Sequence, residues 1–154
     1  MQRMRLILAI VALLVIAACG GSDSDAPAAD SAAPVAASDG LRVEMHDIYF
    51  GDSADNLGNP PVWAVTAGES VSIELANVGN LEHNWAIVKK GEEVPVPYTG
   101  GAEQEALLYY VGDVVPAGVT ETHTFTAPAE IGEYLVICTV AGHYPAMQGK
   151  LQVQ

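Results

Sequence analysis

Positive charge is the scarcest property of this 154-residue chain, with six Lys and Arg against 19 Asp and Glu. Arg3 and Arg5 stand at the very start. Beyond residue 18 only Arg42, Lys89, Lys90 and Lys150 oppose all 19 acids, a formal charge of −15. Such a surface cannot neutralise phosphates, which excludes nucleic acid as a partner. It also repels anionic lipid headgroups, although it can steer docking to a basic protein or simply keep the chain soluble. Cysteine is nearly absent: Cys19 and Cys138 cannot form a disulfide framework. Long apolar runs are missing too. The longest, residues 6–18, falls short of the roughly 20 residues that a membrane helix needs. There is no internal repeat, so the length fits one domain with an extension.

The extension reads as an export signal over residues 1–18: a basic start, an apolar middle and small residues before Cys19. A marginal membrane anchor is the competing reading of the same run. Ile16-Ala17-Ala18-Cys19, followed by Gly20-Gly21, resembles the lipobox of bacterial lipoproteins. That resemblance implies cleavage before Cys19, lipid attachment to it and a tether to a membrane surface outside the cytoplasm. After Cys19, residues 20–40 are Ala, Pro, Ser, Asp and Gly with almost nothing to bury, the composition of a disordered linker. Residues 19–40 therefore make a leash, about 25 Å long as a flexible coil, on which a globular head swings between partners. Lipidation would leave Cys138 as a lone thiol in an oxidising compartment. A Cys19–Cys138 disulfide would explain it, and so would metal ligation.

Residues 41–154 have the pattern of an all-β domain, a sandwich of short strands separated by Gly and Pro turns. Leu41, Val43 and Met45 alternate with Arg42 and Glu44. Val71, Ile73 and Leu75 alternate with Ser72 and Glu74. Residues 62–65, 85–88, 120–126, 134–138 and 149–153 supply the other expected strands. Residues 51–61 read as a loop and 77–80 as a turn. Residues 102–108 read as two helical turns, ended by Tyr109-Tyr110-Val111.

Chemistry concentrates in Cys138-Thr139-Val140-Ala141-Gly142-His143-Tyr144-Pro145-Ala146-Met147. A thiolate, an imidazole and a thioether share one ten-residue loop pinned by a strand at each end. Soft sulfur with imidazole selects copper over magnesium, calcium or manganese. A second imidazole must come from His46, His83 or His123. His83 suits best, since a polar turn enters a strand there, and Asn84 beside it could bond its amide to the backbone of the Cys138 loop. His46 and His123 read as structural, with His123 sharing the parity of Phe125. Trp63 and Trp85 read as core, and Tyr98, Tyr109 and Tyr110 as loop packing.

His83-Asn84 followed by Cys-x4-His-x3-Met resembles the signature of the cupredoxins, the small blue copper proteins. The resemblance covers residues 41–154 and implies a Greek-key β-sandwich with one type 1 copper ion. His83, Cys138 and His143 would be its ligands, with Met147 weak and axial, and Asn84 and Thr139 would support them. Within the family, residues 83–85 and 138–144 look most like those of auracyanins, membrane-associated electron carriers of filamentous green phototrophs. The gap from His143 to Met147 has the azurin length. Glu82 stands where azurins have a Gly whose carbonyl sits near the metal, which leaves a fifth, backbone-oxygen contact open.

The implied function is one-electron transfer in photosynthetic or respiratory transport. A monomer tethered at the outer face of a bacterial cytoplasmic membrane would shuttle between membrane-associated redox complexes, such as a c-type cytochrome or a membrane oxidoreductase. Tyr144, Pro145 and Ala146 would form an uncharged docking rim around His143. A copper oxidase or nitrite reductase would need a second metal site, for which only His46 and His123 are left. An extracytoplasmic copper carrier or delivery protein is the alternative, but carriers favour Met-rich tracts, and beyond the signal only Met45 and Met147 occur.

Overall fold

The computed structural model of the protein describes residues 40–154. The expected signal over residues 1–18, Cys19 and the linker up to residue 39 lie outside the described residues.

Among the described residues nine strands form two sheets. In chain order they are β1 (Leu41–His46), β2 (Tyr49–Phe50), β3 (Val62–Val65), β4 (Ser70–Asn77), β5 (Ala86–Val88), β6 (Leu108–Val111), β7 (Thr120–Thr126), β8 (Gly132–Ile137) and β9 (Gln148–Val153). One sheet runs β2-β1-β4-β7 and the other β3-β9-β8-β5-β6. The pairs β1–β4 and β3–β9 are parallel, and the remaining neighbours are antiparallel.

Period-two alternation decides what lies between the sheets. Leu41, Val43 and Met45 of β1 and Ile73 and Leu75 of β4 face inward from one side. Tyr134 and Val136 of β8 and Leu151 and Val153 of β9 face them from the other. Each such aliphatic side chain contributes about 1.5–3 kcal/mol on burial. Trp85 lies fully buried among them, in contact with Trp63 and Phe125. The outer side of the second sheet carries a smaller core of Ala86, Val88, Leu108 and Ile137, covered by Val94 and Tyr98 from the connection between β5 and β6.

The connection differs from the two helical turns expected of residues 102–108. Its helix, α1, covers only Ala102–Glu105 and buries none of its residues. Leu108 begins β6 instead, antiparallel to β5 with a register irregularity at Ile87/Val88. Pairing with a strand edge there outweighs the helix propensity of an Ala- and Leu-rich run. Strand β2 is likewise an addition. Asn77 ends a strand rather than opening a turn: it is buried, and its Nδ2 donates to the carbonyls of Leu81 (2.8 Å) and Val115 (2.9 Å).

Candidate metal centre

Strand parity brings the donors together. In β8, Tyr134 and Val136 point into the core, and Cys138, one residue past the strand, continues that direction. In the neighbouring strand β5 Ile87 points inward, as does Trp85 just before it, which makes His83 the next inward residue toward the same end. The β5–β8 ladder pairs Ala86 with Ile137 and Ile87 with Val136. Extending it by two residues sets Asn84 opposite Thr139, with His83 and Cys138 flanking that pair.

Backbone hydrogen bonds fix each donor. His83 forms a two-bond bridge with Val115, its N–H donating at 3.2 Å and its carbonyl accepting at 2.8 Å. The loop from Cys138 to Met147 is closed at its neck by Cys138 N donating to Met147 O (3.2 Å). Inside it, His143 N donates to Val140 O (3.1 Å) and Met147 N to His143 O (2.9 Å). Gly142, at φ 85°, supplies the left-handed residue that turns the chain into His143.

The ligand atoms converge. Cys138 Sγ lies 3.5 Å from His143 Nδ1 and 4.0 Å from His83 Nδ1, and the two Nδ1 atoms are 3.1 Å apart. All three residues are buried. Met147, at the neck of the loop, is fully buried in the same cluster as Cys138. His46 and His123 lie elsewhere, each beside a carboxylate on its own strand.

Burial dominates the electrostatics. It lowers the pKa of His83 to about 4, helped by neighbouring His143, and it also lowers that of His143. Burial pushes the Cys138 thiol up. At neutral pH the site therefore presents two neutral imidazoles, their Nδ1 atoms within hydrogen-bond distance of each other, beside a thiol. A soft cation suits this donor set: it takes up the lone pairs and favours the thiolate by its charge.

Two polar residues brace the donors from behind. Asn84, buried, donates from Nδ2 to Thr139 Oγ1 (2.7 Å) and to Gly112 O (3.2 Å), while its Oδ1 accepts from Thr139 N (2.8 Å). The expected tie between the His83 segment and the Cys138 loop is thus present, with the Thr139 hydroxyl added to it. Two residues that the sequence did not single out also converge here. Asn77 holds the 77–83 loop from inside. Asp47, in the turn between β1 and β2, accepts from Asn80 N, Asn80 Nδ2 and Leu81 N at 2.6, 2.9 and 3.1 Å. Those bonds, the side-chain one foremost, hold its carboxyl below the usual range. Nothing in the local sequence distinguishes Asp47 from an ordinary turn aspartate.

Two buried imidazoles, a buried cysteine and a methionine, meeting where a two-sheet sandwich ends, define a blue copper protein. The comparisons with known proteins agree. Residues 57–154 match the family of copper binding proteins of the plastocyanin/azurin type. Auracyanin-A of Chloroflexus aurantiacus is 34% identical over 165 residues, covering 98% of this chain and 96% of that protein. Auracyanin-B of the same organism is 33% identical over 104 residues, 58% of this chain and 44% of that protein. The solved structure of auracyanin A from that bacterium is 30% identical and superposes with a TM-score of 0.56, covering 79% of this chain and all of that one. The chain belongs to the plastocyanin/azurin family of cupredoxins. Its type 1 copper site is made by His83, Cys138, His143 and Met147, and its class is that of electron carriers rather than enzymes.

Proposed function

We propose that this blue copper carrier is held by lipid on Cys19 at the outer face of a bacterial cytoplasmic membrane. There it shuttles single electrons between membrane-associated redox complexes, a c-type cytochrome or a membrane oxidoreductase among them. The observation that carries the transfer step is the graded burial of the two imidazoles: His83 is 0% exposed and His143 is 8% exposed. His143 is therefore the ligand through which an electron reaches a partner by the shortest path. Around it stand Tyr144 and Pro145, half-buried, and Ala146, exposed, all uncharged. A partner can approach such a rim closely without desolvating a charge.

Copper, when bound, supplies a one-electron couple that imidazole, thiolate and thioether ligands serve in both oxidation states. The chain supplies rigidity. Cys138 and Met147 are locked by the β8–β9 neck, His83 by its bridge to Val115, and the two segments by Asn84. Donors held this way need not rearrange when charge changes, and burial keeps water away from them.

The tether rests on the residues Ile16-Ala17-Ala18-Cys19 and on the leash-like composition after them. A photosynthetic setting is suggested by the relative described as a "blue" copper protein from a green thermophilic photosynthetic bacterium. The test is expression of the full chain in a bacterium with labelled fatty acid. The expected product is a labelled, membrane-bound blue protein, and Cys19→Ser should release it unlabelled. A Cys19→Ser protein that stays in the membrane overturns the lipid tether. A copper-loaded protein without blue colour that bleaches on reduction overturns the carrier itself.

A further inference from the structure

We propose that Asp47 is a positioning residue for the copper centre, the carboxylate that takes up the hydrogen bond of His83 Nε2 once copper is held and that keeps the reduction potential down with its charge. The inference rests on the ligand role of His83 and concerns the other side of its ring. His83 turns Nδ1 toward Cys138 and His143. An imidazole that gives its Nδ1 lone pair to a cation carries its proton on Nε2, and that N–H needs an acceptor. His83 Nε2 is buried and has no hydrogen-bond partner among the described residues. Asp47 Oδ1 lies 3.9 Å from it, about 1 Å beyond bonding distance.

The carboxylate is delivered there deliberately. Asp47 belongs to the β1–β2 turn, yet it is anchored on Asn80 and Leu81, the residues leading into His83. Gly79 makes the space: a Cβ at that position would come within 2.5 Å of Asp47 Oδ1 and 3.0 Å of Asp47 N. Its φ lies outside the left-handed region, so close approach, not backbone conformation, calls for glycine. An anion behind a ligand imidazole makes the ring a stronger donor and favours the more highly charged, oxidised metal. The rival reading is that Asp47 only caps the loop before His83.

Asp47→Asn separates the two: the charge is gone and the bond from Asn80 Nδ2 to Oδ2 is lost, but Oδ1 still accepts from Asn80 N and Leu81 N. In the copper-loaded protein the reduced-to-oxidised ratio at fixed potential should rise about tenfold, equivalent to about 59 mV for one electron. Amide exchange at Asn80 and Leu81 in the copper-free protein should change less than about threefold. Gly79→Ala, which pushes the carboxylate away, should move the ratio in the same direction. A ratio within twofold of the unmodified protein in both variants overturns the proposal, the more so if loop exchange accelerates. The unmodified protein gives an independent reading. Loaded with Cu(I), its His83 Nε2 proton should be visible by NMR and protected from solvent, and free exchange of that proton would also overturn the role. Failure of the unmodified protein to form a blue centre would sink the ligand assignment and this inference together. A blue protein indifferent to Asp47 would sink the inference alone.

Discussion

Replacing Asn84 with Ala tests whether the site is braced by the fold before any metal arrives. The side chain makes three bonds: to Thr139 Oγ1 (2.7 Å), to Gly112 O (3.2 Å) and from Thr139 N (2.8 Å). Each is worth about 1 kcal/mol net, and buried partners left without a bond add to the loss. The expected destabilisation is therefore about 2–4 kcal/mol. For a domain of this size that corresponds to a fall of about 8–15 °C in the melting temperature of the copper-free protein, followed by circular dichroism. Asn84→Asp keeps an acceptor for Thr139 N but loses both donors, and should fall between. Copper binds only the folded chain with its donors in place, so a loosened Cys138 loop also weakens binding, and the stabilisation given by a fixed copper excess shrinks. A copper-free Asn84→Ala protein melting within about 2 °C of the original would refute the brace. An unchanged increment from copper would refute the link between brace and site.

Met147→Leu keeps the volume of a fully buried side chain; it should cost under about 1.5 kcal/mol, retain copper and raise the potential as the weak donor is lost. Loss of copper in that variant would give Met147 a larger share of the binding than assigned here. Gly149→Ala places a Cβ 2.5 Å from Trp63 Cζ3 and 3.2 Å from Pro61 O. Trp63 is wedged against Trp85 and Phe50, so the clash should cost about 1–3 kcal/mol, read as a lower denaturant midpoint; an unchanged midpoint would mean that the indole swings free. Ala146→Glu should slow electron exchange with a small redox protein several-fold at unchanged copper content, and an unchanged rate would remove the rim around His143 from the docking surface.

The strands that carry the site were readable because they alternate. Leu41-Val43-Met45 and Val71-Ile73-Leu75 declare a buried side in the sequence, and the same parity carries Cys138 onward from Tyr134 and Val136. The unusual spacing of Cys138, His143 and Met147 made the loop legible, and His83 followed as the histidine at a strand entrance. Strand β6 was not legible, since Tyr109 and Val111 are exposed and the run follows helix-forming Ala, Glu and Leu. Its structure comes from the free edge of β5, which lies some 20 residues back in the chain. Strand β2, two residues long, is too short for any period to show.

Polar braces are harder to read than ligands for a physical reason. A metal ligand is recognised by its element, since few side chains offer soft sulfur or imidazole. A brace is any amide or carboxylate in the right place, and its place is set by the meeting of segments distant in sequence. Asn84 was accessible because it adjoins His83, but Asp47 and Asn77 look like turn residues until β1, β4 and the 77–83 loop are side by side. Asn77 reaches Leu81 and Val115 from beneath that loop, and Asp47 reaches Asn80 and Leu81 from outside it. With its backbone bridge to Val115, His83 is thereby fixed by groups on three separate segments, so its position belongs to the sheet carrying β1 and β4 as much as to the sheet carrying Cys138. A redox centre built across two sheets keeps its geometry only as long as the sandwich stays closed, which is why perturbing the brace at Asn84 should register in the copper-free fold before it registers in colour.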